Sequence, residues 1–581
     1  MKNPSSDHTS SPESTDSFCR ALFNGHLLED RIFPYPDADT GPWDDVRDVI
    51  VRFKADKVDS KKIDSEAKVP AELLEEMKQM GLFGVIIPEE FGGFGMSATG
   101  YSKIMEAMVQ CDSSLTLMIG AHQSIGMKGL LLFGTPEQKK KYLPKLATGE
   151  MVASFALTEP TSGSDAQSIK TKAVLSADKK YYTINGSKLW ITNGGFADFF
   201  TVFAKVDVEQ DGEKKEKVTA FIVERSMGIK SLSEEHKLGI KGSSTVQLVL
   251  EDVKVPVENL LGELGKGFKV AMNILNSGRL GLAAGCIGAS KMVMNESVKY
   301  AAERKQFSQP ITNFKMIKAY IAQMEVTTYV LESMVYLTTS WIDKNVHDYS
   351  MESAICKVFG SEAAWENVNR ALQIAGGNGY MKDYPYEQAL RDSRINLIFE
   401  GTNEILRLFI GLTGLQSVAQ ALQGTQGAVK NLFEEPIKGF GAFYGYASKR
   451  LRQKFSPDMA KKIHPLLANQ TKSLGKSIAE LSEASEAVVK KYRKNVVDEQ
   501  HDLRRIADVT IDLYAISATL ARVTSEIEKK GEEGTIHTRQ IAAVFTSQAR
   551  RRIRENIRSL ELNKDKAVDA IADRVVKRVA G

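Results

Sequence analysis

Along the chain the spacing of apolar residues changes character, and each change marks a different kind of element. From about residue 40 to 150 apolar positions recur every three or four residues. AELLEEMKQMGLFG (71–84) predicts a helix that stops at glycine, and GTPEQKKKYLPKLATGE (134–150) predicts a helix between two glycine-containing turns. Near residue 155 the period drops to two. KYYTINGSKLWITN (180–193) alternates about Asn185-Gly186, which predicts a hairpin turn there. FFTVFAKVDV (199–208), KVTAFIVERS (217–226) and STVQLVLEDVKV (244–255) continue as strands, with DVEQDGEKKEK (207–217) as a solvated charged loop between two of them. Helical spacing returns from Gly267 to about Ile410, ALQGTQGAVK (421–430) reads as a linker, and the remainder is helical again. HDLRRIADVTIDLYAISATLARVTSEIEKK (501–530) there places its apolar residues on one face.

This pattern predicts an α+β multidomain chain without internal repeats. A polar tail and lead-in occupy 1–40, an N-terminal α-helical domain 41–154 and a middle antiparallel β domain 155–265. An α-helical domain follows over 266–420, then a linker over 421–470 and an additional C-terminal α-helical domain over 471–581. The length of 581 residues itself calls for several cores.

Composition narrows the classes. Hydrophobic residues at 43% and charged residues at 26% describe a globular protein, and a net charge of +4 gives no reason to expect nucleic acid. Cys19, Cys111, Cys286 and Cys356 are far apart, with no CxxC and no clustered histidine, so neither zinc nor a disulfide framework is expected. That fits a reducing compartment. The opening MKNPSSDHTSSPESTDSF has neither the apolar core of a signal peptide nor the Arg-rich pattern of a transit peptide, and reads as a tail. No run of 18 apolar residues occurs, so no membrane span is expected.

Five segments carry residues suited to chemistry. In SFALTEPTSGSDAQSIKTKA (154–173), Phe155 and Leu157 can cover an aromatic ring, and Gly163 within a small-residue turn lets backbone approach a ligand. LWITNGG (189–195) sets Trp190 at a strand end before a Gly-Gly turn. AAERKQFSQPI (301–311) contains Arg304, a permanent cation able to hold a phosphate through two parallel bonds. LQIAGGNGYMKDYPYEQALRD (372–392) sets Gln373 before Gly376-Gly377, where backbone N–H groups can meet a pyrophosphate. RINLIFEGTNEILR (394–407) places the carboxylate of Glu400 between an apolar run and Gly401. Taken alone, these segments read first as a solvent loop, a core tryptophan, a helix end or a cap. Neither GxGxxG between strand and helix nor GxxxxGK[ST] is present, so the glycines do not build a Rossmann or P-loop site.

In this order and spacing the five segments resemble the acyl-CoA dehydrogenase family, over about residues 18–581. GAHQSIGMKG (120–129), GFKVAMNILNSGRLGLAAG (267–285), RRIADVTIDLYA (504–515) and the helical extension past residue 425 resemble its very-long-chain branch. The resemblance implies an FAD enzyme that oxidises long or very long acyl-CoA thioesters to trans-2-enoyl-CoA, the first step of β-oxidation. A glutamate removes the α-proton while a hydride passes to flavin N5, and by motif that glutamate is Glu400. Some relatives carry the base on the helix matching LNSGRLG, just before its arginine; here that position is Gly278, ahead of Arg279. Gly401 then leaves room for the thioester.

By the same matching, Phe155, Leu157, Thr158, Gly163, Ser164, Trp190, Ile191 and Thr192 line the flavin, with Thr402, Asn403 and Glu404 following it at a helix start. Arg304, Gln306, Gln373, Gly376 and Gly377 hold the pyrophosphate and adenosine, partly of a neighbouring subunit's FAD. Ser164, Asn276, Ser277, Gly278, Arg279, Glu400 and Gly401 contact the substrate; Arg279 also has an alternative role as a structural ion-pair partner. The small residues Gly120, Ala121, Gly126 and Gly129 permit either a deep pocket or close helix packing. The implied assembly is a homodimer, and the implied electron acceptor is an electron-transfer flavoprotein. Two other functions share these features: an acyl-CoA oxidase that uses oxygen, and an assembly factor for respiratory complexes with residual dehydrogenase activity. Without a transit peptide the expected chain is a bacterial cytoplasmic protein or the mature form of a mitochondrial one. NLFEEPIKGFGAFYGYASKRLRQKF (431–455), which interleaves aromatic rings with cations, reads either as a segment for peripheral contact with the inner membrane face or as an interdomain helix whose aromatics pack on the catalytic domain.

Overall fold

The structure is a computed structural model describing residues 17–38, 40–210, 212–346, 348–423 and 460–581. The expected tail before Ser17 and the proposed membrane segment 431–455 lie outside these residues. The chain divides into two compact units, one of residues 37–339 and 356–406, the other of residues 1–36, 340–355 and 407–581.

The first unit is built on an eight-stranded sheet in the order β6-β7-β3-β2-β4-β5-β8, with β1 paired to β4. Its strands are β1 Ala153–Ala156, β2 Lys172–Leu175, β3 Tyr181–Thr192, β4 Phe199–Gln210, β5 Glu213–Glu224, β6 Lys230–Glu234, β7 Thr245–Pro256 and β8 Leu260–Leu261. Period-two alternation sorts the side chains. Phe199 and Phe203 pack on one face with Tyr142, Leu143, Leu146 and Ile274, while Phe200 and Val202 pack on the other with Ile184, Phe221 and Leu248.

Three local expectations are corrected. The sheet is mixed rather than antiparallel, because β1 and β2 both run parallel to β4. With β5 on one edge of β4, both share the other edge, so the chain between them, residues 157–171, must loop out of the sheet. Asn185-Gly186 is not a hairpin turn. It sits inside β3 at a register shift against β7, where Asn185 bonds to Asp252 and a Cβ on Gly186 would lie 2.4 Å from the Thr171 hydroxyl. Pairing with β7 overrides the local turn preference, and the turn falls at Ser176–Tyr181 instead, with Lys179 in the left-handed region. Finally, the charged stretch 207–217 is a ladder, continuous to the pair Gln210 and Glu213, with Lys172 bridging to Glu216 across strands at 2.8 Å.

Helices cover this sheet. Pro136–Thr148 begins with a capping box between Thr135 and Gln138 and ends at Gly149 in the left-handed region. A π-helix, Ala121–Gly126, follows the helix Ser113–Gly120. Its His122 accepts the Ala153 N–H on Nδ1 at 2.8 Å and faces the Phe83 and Leu146 carbonyls with Nε2, both at 3.1 Å. Burial pushes this imidazole down to about 4, so it is neutral and pins the π-turn to β1. The small residues nearby serve packing: a Cβ on Gly126 would lie 2.8 Å from the Ala153 backbone, and one on Gly129 2.9 Å from Ile274.

The 37-residue helix Gly267–Glu303 carries several site residues, and its placement depends on close approach to the helix Ala98–Met108. At Gly288 an added Cβ would lie 2.1 Å from the Glu106 carbonyl oxygen.

In the second unit the helix Gln500–Lys530 is buried on nearly every side rather than on one face, since the helices Ala468–Tyr492 and Ile536–Ser559 both pack against it. Phe18, Trp341 and Tyr514 form an aromatic cluster there, with ring centroids 5.8–6.1 Å apart. The Glu352 carboxylate accepts from Ser17 Oγ at 2.6 Å and Cys19 N at 2.8 Å. Among the described residues no helix is long and apolar enough to cross a membrane.

Gly288→Ala is expected to destabilise the protein by about 1–3 kcal/mol, because the clash is with backbone and the two helices must separate. Urea denaturation checks this; an unchanged midpoint would contradict the packing described.

Candidate active site

Three groups of residues stand out in the first unit. At the first, a 3-10 turn, Arg394–Leu397, leads into Glu400, and the helix Asn403–Gln423 begins three residues later with Thr402 Oγ1 capping Ile405 N at 3.3 Å. Between them the backbone is left-handed twice in succession, with φ 57° at Glu400 and 93° at Gly401. Glycine tolerates this; glutamate does so at a cost on the order of 1 kcal/mol. The turn aims the carboxylate at the helix Gly267–Glu303. Both of its oxygens lie 2.8 Å from where a Cβ of Gly278 would be, so the missing side chain there is the space Glu400 occupies.

Two buried cations back this turn. Arg279 donates from Nε to the Glu400 carbonyl at 3.3 Å and from Nη1 to Asn276 Oδ1 at 3.0 Å. Lys357 donates from Nζ to the Gly401 carbonyl and to Asn403 Oδ1, both at 2.8 Å. Neither cation bonds the carboxylate itself. Glu400 is only partly buried as a residue, yet its Oε2 is sealed from solvent and has no hydrogen-bond partner among the described residues. Burial raises its carboxyl to about 7, against the opposing pull of Arg279 and Lys357. Burial likewise brings Arg279 down to about 10 and Lys357 to about 8. The Glu400 N–H also donates to nothing among the described residues. Tyr101 is buried, its ring lies 3.1 Å from a Cβ position on Gly281, and burial pushes its phenol above the ordinary range.

The second group surrounds the 157–171 loop. Leu189 N donates to the Thr158 carbonyl at 2.9 Å and Ser154 Oγ to the Thr192 carbonyl at 2.6 Å, which brings the two predicted segments side by side. Trp190, with φ 56° at a β-bulge, is turned out of the sheet and is 60% exposed, although tryptophan is ordinarily core. Gly163 and Ser164 are exposed, and Phe155 and Thr192 half-buried. Leu157 and Ile191 have side chains buried in the core, so what they can offer a ligand is backbone. The loop is anchored by an ion pair the sequence reading did not single out. Lys188 Nζ donates to Glu159 Oε1 at 2.7 Å and to the Phe203 and Leu157 carbonyls, and Glu159 accepts Lys170 N and Thr171 N. Both side chains are buried. Burial alone would raise the Glu159 carboxyl, but Lys188 and these donors bring it below the ordinary range.

The third group lies at the far end of the long helix. Arg304 and Gln306 are exposed there, as are Gln373, Gly376 and Gly377. Asn378 Nδ2 bonds Tyr300 Oη at 3.3 Å, tying the glycine turn to the helix end. No hydrogen bond joins this group to the other two among the described residues. Of the remaining predicted residues, Asn403 is buried in a network with Ser361 and Glu362, Ser277 is half-buried, and Glu404 is exposed.

Known proteins match this arrangement. Residues 44–150, 154–253 and 265–414 match the N-terminal, middle and C-terminal domains of acyl-CoA dehydrogenase, and residues 465–580 match the ACAD9/ACADV C-terminal domain. The chain is 42% identical to a very long-chain specific acyl-CoA dehydrogenase of Rattus norvegicus, over 94% of this chain and 84% of that one. It is 39% identical to a probable acyl-CoA dehydrogenase of Bacillus subtilis, over 82% of this chain and 79% of that one. The crystal structure of an acyl-CoA dehydrogenase complexed with FAD from Bacillus anthracis superposes with a TM-score of 0.79 at 34% identity, covering 95% of this chain and 94% of that one.

Glu159→Ala removes the carboxylate that keeps Lys188 charged against its burial and leaves the lysine unpaired in the core. A loss of about 3–5 kcal/mol in urea denaturation is expected; a loss below about 1 kcal/mol would show that the pair does not anchor the loop.

Proposed function

The chain belongs to the acyl-CoA dehydrogenase family, and on that premise we propose that it oxidises long or very long acyl-CoA at the α,β-bond with Glu400 as the base. The single observation that carries the assignment is the Glu400 carboxylate, held over Gly278 with one oxygen sealed and unpartnered. A carboxylate with a free lone pair in a dry site, raised to about 7, is matched to a weakly acidic C–H far better than an exposed glutamate. As the α-proton leaves, charge builds on the thioester oxygen. The Glu400 N–H, which donates to nothing among the described residues, is available to that oxygen beside the base. Arg279 and Lys357 hold the turn by its carbonyls and so keep carboxylate and N–H in fixed relation.

The residues present fit FAD. Trp190 offers an exposed ring beside the open Gly163-Ser164 turn, and nothing stands within 4 Å of a Cβ on Gly163, Gly376 or Gly377. On this reading Phe155, Leu157, Thr158, Trp190, Ile191 and Thr192 hold the isoalloxazine. Arg304, Gln306 and Gln373 hold the phosphates and adenosine through exposed donors. When bound, FAD supplies the acceptor for the β-hydrogen. The identity over nearly the whole chain to very long-chain relatives supports the preference for long acyl groups. The family resemblance supports an electron-transfer flavoprotein as the electron acceptor.

A homodimer follows from the same reading. Phe307, Met316 and Tyr380, which flank Arg304 and Gly377 in sequence, are 75–87% exposed, as expected of apolar side chains covered by a second copy. Light scattering is expected to give twice the chain mass, and a flavin-loaded monomer would contradict the shared site. Glu400→Gln is expected to keep FAD and bind acyl-CoA while anaerobic flavin reduction slows by several orders of magnitude. Near-normal bleaching would remove the base from Glu400.

A further inference from the structure

Lys357 is a buried charge for which base chemistry at Glu400 has no direct use. It lies in the helix Ser350–Ala375 with its side chain wholly enclosed. None of its hydrogen bonds goes to a carboxylate among the described residues; they go to the Gly401 carbonyl and to Asn403 Oδ1. A buried cation without an ion-pair partner is costly. This one also faces the start of the helix Asn403–Gln423, where the helix dipole disfavours positive charge. A neutral donor would satisfy the same two acceptors without either cost.

The geometry gives the charge a use. The left-handed turn presents two successive carbonyls, Glu400 and Gly401, and each is held by a different cation: Arg279 from the helix Gly267–Glu303 and Lys357 from the helix Ser350–Ala375. The two helices therefore fix the turn from two directions. We propose that Lys357 is a positioning residue for the reaction: it locks the Glu400–Gly401 turn by its second carbonyl and places, with Arg279, positive charge toward the carboxylate. This rests on the reading of Glu400 as the base. The charged and titratable groups around Lys357 are Glu400, Arg279, Cys286 and Glu362, and those around Glu400 are Arg279 and Lys357, with Tyr101 feeling its charge. The Cys286 thiol is pushed up to about 12 by burial and stays neutral. Glu400 is the first among the groups acting on Lys357, and it favours the charged ammonium against burial.

The sign of the effect is fixed. A positive neighbour favours the carboxylate, so its removal makes Glu400 hold its proton to higher pH. The test uses purified holoenzyme without substrate. The infrared band of the protonated Glu400 carboxyl is identified by its disappearance in Glu400→Gln, and its pH midpoint is compared between wild type, Lys357→Met and Lys357→Gln. Both substitutions are expected to raise the midpoint by about one pH unit or more, the size of a lost opposite charge at close range. The apparent base ionisation in anaerobic flavin reduction is expected to move by the same amount. Lys357→Arg, if it retains FAD, is expected to restore most of the wild-type midpoint. An unmoved midpoint in folded, flavin-loaded Lys357→Met or Lys357→Gln overturns the proposal, even if the rate falls. If neither neutral variant folds, Lys357 is a structural residue and the proposal also fails. Full flavin reduction by Glu400→Gln would instead overturn the dehydrogenase reading, and leaves the infrared comparison interpretable.

Discussion

The site depends on one backbone constraint: two successive left-handed residues at Glu400 and Gly401, where the chain passes from a 3-10 turn into a helix. Glutamate does not choose that conformation, so surrounding contacts must hold it. Arg279 and Lys357 do so by donating to the two carbonyls, and Gly278 does so by leaving a void the carboxylate fills. Placement of Gly278 and Arg279 depends in turn on the long helix that carries them. That helix approaches its neighbour closely only because Gly288 lacks a side chain.

The electrostatics of the turn are a contest between burial and charge. Desolvation favours the neutral acid; two cations favour the carboxylate. Burial wins, and the carboxyl rises from an ordinary 4.5 to about 7, which corresponds to about 3 kcal/mol in favour of the protonated form. Without the cations the carboxyl would rise further and be protonated at neutral pH. With a direct ion pair it would fall and lose basicity. The observed arrangement avoids both, because the cations bond backbone carbonyls and leave the Glu400 Oε2 lone pairs free.

Much of this was legible in the sequence, and the residues that were not share a physical cause. The change from helical to period-two spacing located the sheet, the segment 394–407 singled out Glu400, and the family resemblance of LNSGRLG singled out Gly278 and Arg279. Local signals failed where tertiary pairing outweighed them: Asn185-Gly186 reads as a turn, but β7 pairs straight across it. The parallel placement of β1 and β2 on β4 had no local signal at all, since it follows from which edges remain free. Lys357 and the Glu159–Lys188 pair were missed because a lysine normally marks a solvated face. The available hint was the setting of Lys357, a lone charge in the small and apolar run SAICKVFG. Lys188 lay within a segment already singled out, but the bulge at Gly186 obscures which face of β3 it takes.

The central claim is that burial and the two cations together set the ionisation of Glu400 near neutrality. The most direct measurement is the pH dependence of the second-order rate constant for flavin reduction, by anaerobic stopped flow at subsaturating long-chain acyl-CoA, which reports ionisation in the free enzyme. Glu400, as the proposed base, acts only when deprotonated, so a rate constant that falls about tenfold per pH unit below about 7 and levels above it is expected. A rate that stays flat down to pH 5 would place Glu400 in the range of an ordinary exposed carboxylate and contradict the account.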